Sequence, residues 1–356
     1  MVKLRELLST AIQKGDESQN SYAKSLGISS SQISKYLCGK EIGFHMVLAM
    51  VKKFYPNMEK EYMESYCREV STPKNIKVAL EYSHIKRSKD TYDYLLELAF
   101  KTNEETKEWA AIYNFQNNNK STHELDRVSE ISELKTCSIE SDVLISILSM
   151  YGFYNNSKLE IAYDWIERIR PKIQEITDPF LRTSFTTRLD EVQAHISLKL
   201  LKDVSEARKI ALRILESDLG PTYNSTGHFI LGLSYITESY DKSFFHYIEA
   251  VKINELLCRE TVVSELKEQV AFLQLIWGKK VDRDLSKFIN DLLDGVNVVC
   301  NDPFQQAIAF YFQGCNENSI EKLFLSLHHF GKIKDFFRAE LPKLELVKRN
   351  IPAEAF

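Results

Sequence analysis

The sequence predicts an all-α protein: an N-terminal helix-turn-helix domain followed by a degenerate tetratricopeptide-like α-solenoid. Three observations carry this. Apolar residues recur at helical spacing along the chain, and β-branched alternation bounded by tight turns never occurs. Residues 20–40, NSYAKSLGISSSQISKYLCGK, read as two short helices around a tight turn. Past residue 74, helices arrive in pairs at a spacing of roughly 35 to 40 residues, the period of stacked helical repeats.

The first helix is expected over residues 2–14, where Leu4, Leu7, Leu8 and Ile12 share a face. In the segment that follows, Tyr22, Ala23 and Leu26 are the expected buried positions of one helix. Gly27 sits where the chain reverses, which a residue without Cβ does at low cost. Ser29 is a good N-cap for the second helix, because its hydroxyl can accept a bond from an orphan backbone N–H. Ile33 and Leu37 are one turn apart and are expected to face inward, and Gly39 ends the helix. Phe44, Val47, Leu48, Val51 and Phe54 make a further amphipathic helix, stopped by Pro56. A helix over 58–70 leads to Ser71-Thr72-Pro73, a break because the residue before proline avoids the helical region.

From Lys74 onward the sequence offers only helices, divided by Asn117-Asn118-Asn119, Asn155-Asn156, Asp178-Pro179, Gly220-Pro221 and Asp302-Pro303. Pro171 falls inside a helical span and is expected to kink or split it. The clearest repeat is GHFILGLSYITESYDKSFFHYIEA, residues 227–250: Gly232 lets two helices approach, Tyr240 to Ser243 start the second, and Phe244, Phe245 and Tyr247 pack back beside Ala250. This gives a helix-turn-helix domain over 1–56, a connecting helix and linker over 57–73, a solenoid over 74–332, and a C-terminal capping or dimerisation helix over 333–356.

The chain of 356 residues carries a net charge of −4, unevenly spread. Residues 1–56 hold eight Lys or Arg against four Asp or Glu, a net +4 that leaves −8 on the remainder. A basic head on an acidic body suits a head that meets phosphate and a body that does not. On the second helix of the motif, Ser30, Ser31, Gln32 and Lys35 are expected to face outward, with Ser29, Asn20 and Lys40 beside them. Hydroxyls, amides and cations of this kind can read base edges and hold phosphates of double-stranded DNA. An ordinary helical hairpin is the competing reading.

The six cysteines form no CxxC pair and no histidine lies at ligand spacing from two of them, so neither a metal nor a cofactor is expected. Buried thiols in a reducing compartment fit better, and the N-terminus lacks the pattern of a signal peptide. No apolar run is long enough to span a membrane. No catalytic constellation is found: the serines lack a nucleophile-elbow context and no phosphate loop is present. His328-His329 reads as structural, and Glu265, Glu268, Asp282 and Asp284 as solvated surface charges. The concave face of a solenoid is suited to an extended peptide, and an acidic body to a cationic one.

A DNA-binding head joined to a degenerate tetratricopeptide body resembles the peptide-responsive regulators of Gram-positive bacteria, and is most similar to the AimR arbitrium receptor family of temperate Bacillus phages. The residues that carry the resemblance are Tyr66-Cys67, residues 78–82 (VALEY), residues 238–243 (ESYDKS), Asp335-Phe336-Phe337 and residues 341–346 (LPKLEL).

The resemblance implies a homodimer paired through its C-terminal helices and working in the host bacterial cytoplasm. Such a dimer binds an operator with two half-sites and controls the lysis–lysogeny decision. A short secreted peptide in the solenoid groove suppresses that activity. It also implies that Asp335 faces an arginine of the peptide with Phe337 beside it, and that Gln274 and Asn301 are groove positions. Where the family tends to place two asparagines this chain has His195 and Leu233, and a basic position is Thr222, which leaves the peptide's sequence open. The alternative function is a solenoid adaptor that binds a protein partner without binding DNA.

Overall fold

In the computed structural model, residues 4–118, 124–134, 136–296 and 302–355 are described, and among them every regular element is helical. In chain order these are α1 (Leu4–Lys14), α2 (Gln19–Ser25), α3 (Ser30–Leu37), α4 (Phe44–Phe54), α5 (Glu59–Cys67), α6 (Pro73–Ile85), α7 (Lys89–Thr102), α8 (Glu104–Asn118), α9 (Glu124–Ser132) and α10 (Ile139–Asn155). Then follow α11 (Leu159–Glu175), α12 (Pro179–Lys199), α13 (Val204–Glu216), α14 (Pro221–Ser234), α15 (Tyr240–Leu256), α16 (Glu260–Ile276), α17 (Lys287–Leu293), α18 (Pro303–Asn316), α19 (Ile320–Lys332) and α20 (Glu340–Lys348). The chain divides into two compact units, one of Met1–Gly152 with Arg168–Thr186, the other of Phe153–Glu167 with Thr187–Phe356.

In the first unit the helix-turn-helix is α2 and α3. Ser18 caps α2 and Ser29 caps α3, each hydroxyl accepting from the backbone three residues on. Gly27 takes φ of +66° at the turn, a left-handed conformation open to glycine at little cost. Ile33 is buried as its spacing requires, but Tyr36 rather than Leu37 takes the other sealed place on α3. Leu37 is only half-buried. The reason is lateral packing: the Tyr36 ring stands edge-on to Tyr66 of α5 at 6.1 Å, and the Arg5 guanidinium of α1 lies 5.0 Å from its centre.

Behind α3 the chain is tied to α6 through Glu41. Its carboxylate accepts from the Ser71 and Thr72 hydroxyls at 2.7 and 2.8 Å, from both their backbone N–H groups, and from the Asn75 amide at 2.6 Å. Asn75 Oδ1 in turn accepts the Phe44 N–H at 2.9 Å. Phe44 is sealed among Tyr66, Tyr82 and Phe180.

Pro171 does not split α11, which runs unbroken through it. Proline costs one backbone bond, while Ile166, Ile169 and Ile173, buried on either side, favour the helical path.

In the second unit consecutive helices pack on one another from α13 to α16 and from α18 to α20. The α14–α15 pair behaves as its sequence predicts. A Cβ on Gly232 would come within 2.7 Å of the Tyr247 ring, so this approach needs glycine. Ser239 caps α15, and Ala250 is fully buried. Phe245 departs from expectation: it is 56 % exposed, while Phe244 and Tyr247 pack inward. The core of this unit joins Leu233, Tyr247, Phe272, Ile289, Ile308 and Phe337.

Candidate functional site

Two surfaces stand out, one in each unit. The first is the outer face of α3. Ser31, Ser34 and Lys35 form one exposed stripe at helical spacing, continued by Lys40, with Asn20 exposed on the first turn of α2. Ser34 was absent from the expected set, although its spacing from Ser31 is the available signal.

The polar side chains here are partly committed. Gln32 completes a capping box: its Oε1 accepts from the Ser29 backbone N–H and hydroxyl, both at 3.1 Å. Bidentate recognition of adenine uses both halves of an amide, so in this arrangement Gln32 offers only its NH₂. Gln19 donates to the Ser30 carbonyl at 2.9 Å and to Ser34 Oγ at 2.8 Å, binding α2 to α3 across the turn. On α2, α3 and the turn after α3, Lys24, Lys35 and Lys40 are exposed and make no ion pair with a carboxylate among the described residues. Such a face suits phosphate contacts with a few hydroxyl contacts to bases.

The second surface is a groove of about 650 Å³ in the second unit. Its walls come from α12, α14, α16 and the start of α18. Every second helix therefore lines the groove, as expected where helix pairs stack with one helix of each pair on the inner layer.

From α12 comes His195, 9 % exposed, between the rings of Tyr154 at 5.8 Å and Phe229 at 5.7 Å. Burial holds it well below the usual histidine range, with Lys199 and Arg338 adding to the effect, so its imidazole is neutral. Its Nδ1 has no hydrogen-bond partner.

From α16 come Glu265, Glu268 and Gln269, at helical spacing on one side. Asp302 caps α18, accepting from the Phe304 and Gln305 backbone, and Gln305 Nε2 donates back to Glu268 at 3.0 Å. Burial raises the Glu268 carboxyl above its usual range; Asp302 and Glu265 add to this, against hydrogen bonds from Gln305 and Ser286. Arg259 also lines the groove and donates to Asn254 at 3.0 Å.

The other positions expected to touch a ligand sit differently. Thr222 is half-buried on α14 one turn before Thr226, and its carbonyl accepts the Thr226 hydroxyl at 3.3 Å. Gln274 is buried beyond the groove's end of α16, its Oε1 accepting the Asp282 N–H at 3.0 Å. Leu233 and Phe337 are core residues. Asn301 lies outside the described residues.

Asp335 is 1 % exposed and already holds a cation: Arg338 Nε donates to it at 2.6 Å and the Arg338 backbone N–H at 3.0 Å. Arg338 then reaches Gln269 at 2.8 Å and lies 4.1 Å over the Phe304 ring. Asp335 thus supports the groove from one layer behind it. Glu265 is exposed, as expected of a surface charge, while Glu268, expected to be one too, is half-buried; both line the groove. The only local signal for them is an acidic pair three apart on a helix with no lysine placed to neutralise it.

Comparison with known proteins gives a consistent result. Residues 59–296 match the family described as AimR transcriptional regulator-like. The AimR transcriptional regulator of Bacillus phage SPbeta is 22 % identical over 331 residues, covering 86 % of this chain and 84 % of that protein. The AimR transcriptional regulator of Bacillus phage phi3T is 22 % identical over 334 residues, with 86 % of each covered. Among solved structures, that of selenomethionine phAimR superposes with a TM-score of 0.75 at 20 % identity, covering 99 % of this chain and 98 % of that one. A phAimR–ligand structure gives 0.69 at 20 % identity, covering 85 % and 96 %. These likenesses concern the fold; the match to the family spans about two-thirds of the sequence, and the chain belongs to the AimR transcriptional regulator-like family.

Proposed function

We propose that this protein is a phage-encoded DNA-binding transcription regulator of the lysis–lysogeny decision. A short secreted peptide bound in the groove of the second unit suppresses it. The observation that carries the reading is the α3 face: a capped helix presents Ser31, Ser34 and Lys35 outward, in a chain of the AimR family.

Each such face makes few strong contacts, so tight specific binding calls for two heads on two half-sites. The homodimer that supplies them pairs through α19 and α20. There Ile320 and Phe324 on one helix and Leu344 and Val347 on the next leave large apolar side chains exposed. The expected site of action is the host bacterial cytoplasm; among the described residues no helix is long and apolar enough to cross a membrane.

The test is a gel shift on DNA flanking the protein's own gene, over a range of salt. The expected result is a specific complex whose log affinity falls linearly with log salt. Changing Leu344 and Val347 to Glu should yield a monomer by sedimentation and weaken the two-site complex. Absence of any specific shift, with a folded dimer, would return the adaptor reading.

A further inference from the structure

We propose that His228 and His246 form a binding site for a divalent transition-metal ion whose ligands stand at right angles, Ni²⁺ or Cu²⁺. Bound there, the ion joins α14 to α15.

The geometry of the two rings comes first. They belong to neighbouring helices of the second unit and turn the same atom toward each other, Nδ1 to Nδ1 at 3.0 Å. Metal–imidazole bonds are about 2.0–2.1 Å long, so nitrogens at this separation stand about 90–100° apart as seen from a shared metal. That is the angle between adjacent positions of a square-planar or octahedral ion, whereas a tetrahedral ion holds its nitrogens about 3.3 Å apart. As a hydrogen-bonded pair, one ring donates its Nδ1–H to the other. Moving that proton to Nε2 of the same ring changes no charge and leaves both Nδ1 lone pairs for a metal.

The surroundings keep the rings neutral, placed and accessible. Burial holds both below the usual histidine range, with His228 adding to the effect on His246, so no proton has to be expelled before an ion binds. Tyr235 stacks on His246 at 6.1 Å with the planes 5° apart, and Phe245 stands edge-on to both rings, at 5.1 Å from His246 and 6.4 Å from His228. Rings fixed in advance lose little freedom when they coordinate. Both histidines are half-buried, which leaves room for water on the outer side.

Glu249, one turn beyond His246 on α15, acts on both rings electrostatically and favours a positive charge there, although Lys252 pairs with it at 2.8 Å. Among the described residues no third histidine, cysteine or carboxylate is gathered with the pair, so water fills the other positions of the ion. The histidines that adjoin in sequence, His328-His329, do not offer this geometry. Neighbours on a helix do not share a face, and the His329 ring stacks on Phe310 at 5.4 Å. His228 and His246 lie 18 residues apart on two helices, a spacing that marks no metal site in the sequence. Because α14 also lends Ser225, Thr226 and Phe229 to the groove, an ion here steadies one of the groove's walls.

The experiment titrates untagged full-length protein with Ni²⁺ in equilibrium dialysis. The wild-type chain should take up one tightly held ion. His228→Gln and His246→Gln should each bind it at least tenfold more weakly, and His328→Gln should bind as the wild type does. Melting temperatures without metal show that each variant is folded, and added Ni²⁺ should raise that of the wild type alone among the wild type and the two site variants. Electron paramagnetic resonance of Cu²⁺ on the wild-type chain gives a reading that no variant can spoil, and two imidazole nitrogens in its equatorial plane are expected. Failure of the wild type to hold the ion, equal affinity in both site variants, or a Cu²⁺ signal with fewer than two imidazoles would each overturn the inference.

Discussion

The α3 face and the groove are built on opposite principles. On the α3 face the polar groups are exposed but already bonded to one another: Ser29 to Gln32, and Gln19 to Ser30 and Ser34. Its cations stand free in water. In the groove Glu268 is half-buried and hydrogen-bonded to Gln305 rather than paired with a cation, Glu265 and Asp302 are exposed, and a buried histidine nitrogen lacks a partner. The first arrangement holds a rigid shape for a partner that brings a regular array of phosphates. The second combines exposed carboxylates with a half-buried one and a sealed imidazole. A surface that reads geometry can be satisfied in advance, whereas a pocket that reads chemistry keeps something unsatisfied.

The comparison breaks most readily at the base of the head. Phe44→Ala removes a fully buried ring packed on three others, and should cost about 3–5 kcal/mol. Denaturant unfolding should show the loss, with DNA binding lost and the groove's peptide affinity comparatively spared. Equal loss of both activities would show that head and groove share one cooperative unit.

Glu41→Ala comes next, at about 2–3 kcal/mol for a carboxylate that holds several donors. Burial opposes ionisation of Glu41, but hydrogen bonds from Ser71, Asn75 and Thr72 together outweigh it, so its carboxyl titrates below the usual value. Its stabilising contribution is therefore complete above about pH 4.5 and is lost as the pH falls through the lowered folded value. Melting curves in acid should lose this part of their slope in Glu41→Gln.

Lys35→Ala with Lys40→Ala should weaken DNA binding by about 1–3 kcal/mol and reduce the salt slope by about 2, at unchanged melting temperature. Unaltered DNA affinity would remove α3 from the interface.

The smallest effect lies outside both surfaces. His228 and His246 face each other with Nδ1 atoms 3.0 Å apart, a bond that needs at least one neutral ring. Burial, and then His228, hold His246 down to about 4, against the pull of Glu249. A histidine with a lowered folded value supports the fold above about pH 6.5 and loses that support as the pH falls toward 4. Because the ring is half-exposed, solvent screening limits the effect to about 1 kcal/mol. A His246→Gln variant should flatten the melting temperature between those pH values.

Much of the head was legible in the sequence because its determinants are local. A serine before a helix and a glycine at the turn fix α2 and α3, while the role of Gln32 in the cap, rather than on the outer face alone, came from the structure. Gly232 and the corner from Tyr240 to Ser243 marked the α14–α15 pair for the same reason. Tyr36 was not legible, because whether it or Leu37 faces inward depends on Tyr66 and Arg5 from other helices. The groove was less legible still. Glu268 looks like a solvated charge on an amphipathic helix until α12, α14 and α18 are set around it. Asp335 looks available until Arg338, three residues away, turns back onto it.

The sequence by itself determined the helical class, the capped recognition helix, the separation of a basic head from an acidic body, and the family resemblance. Each follows from periodicity, short-range hydrogen bonding or composition, which need no partner distant in the chain. Tertiary structure alone decided which charges are neutralised. Asp335, sealed beside Arg338, and Asp302, exposed at the start of α18, share a residue type and differ in what folding brings within about 3 Å of them, where a hydrogen bond or ion pair can form.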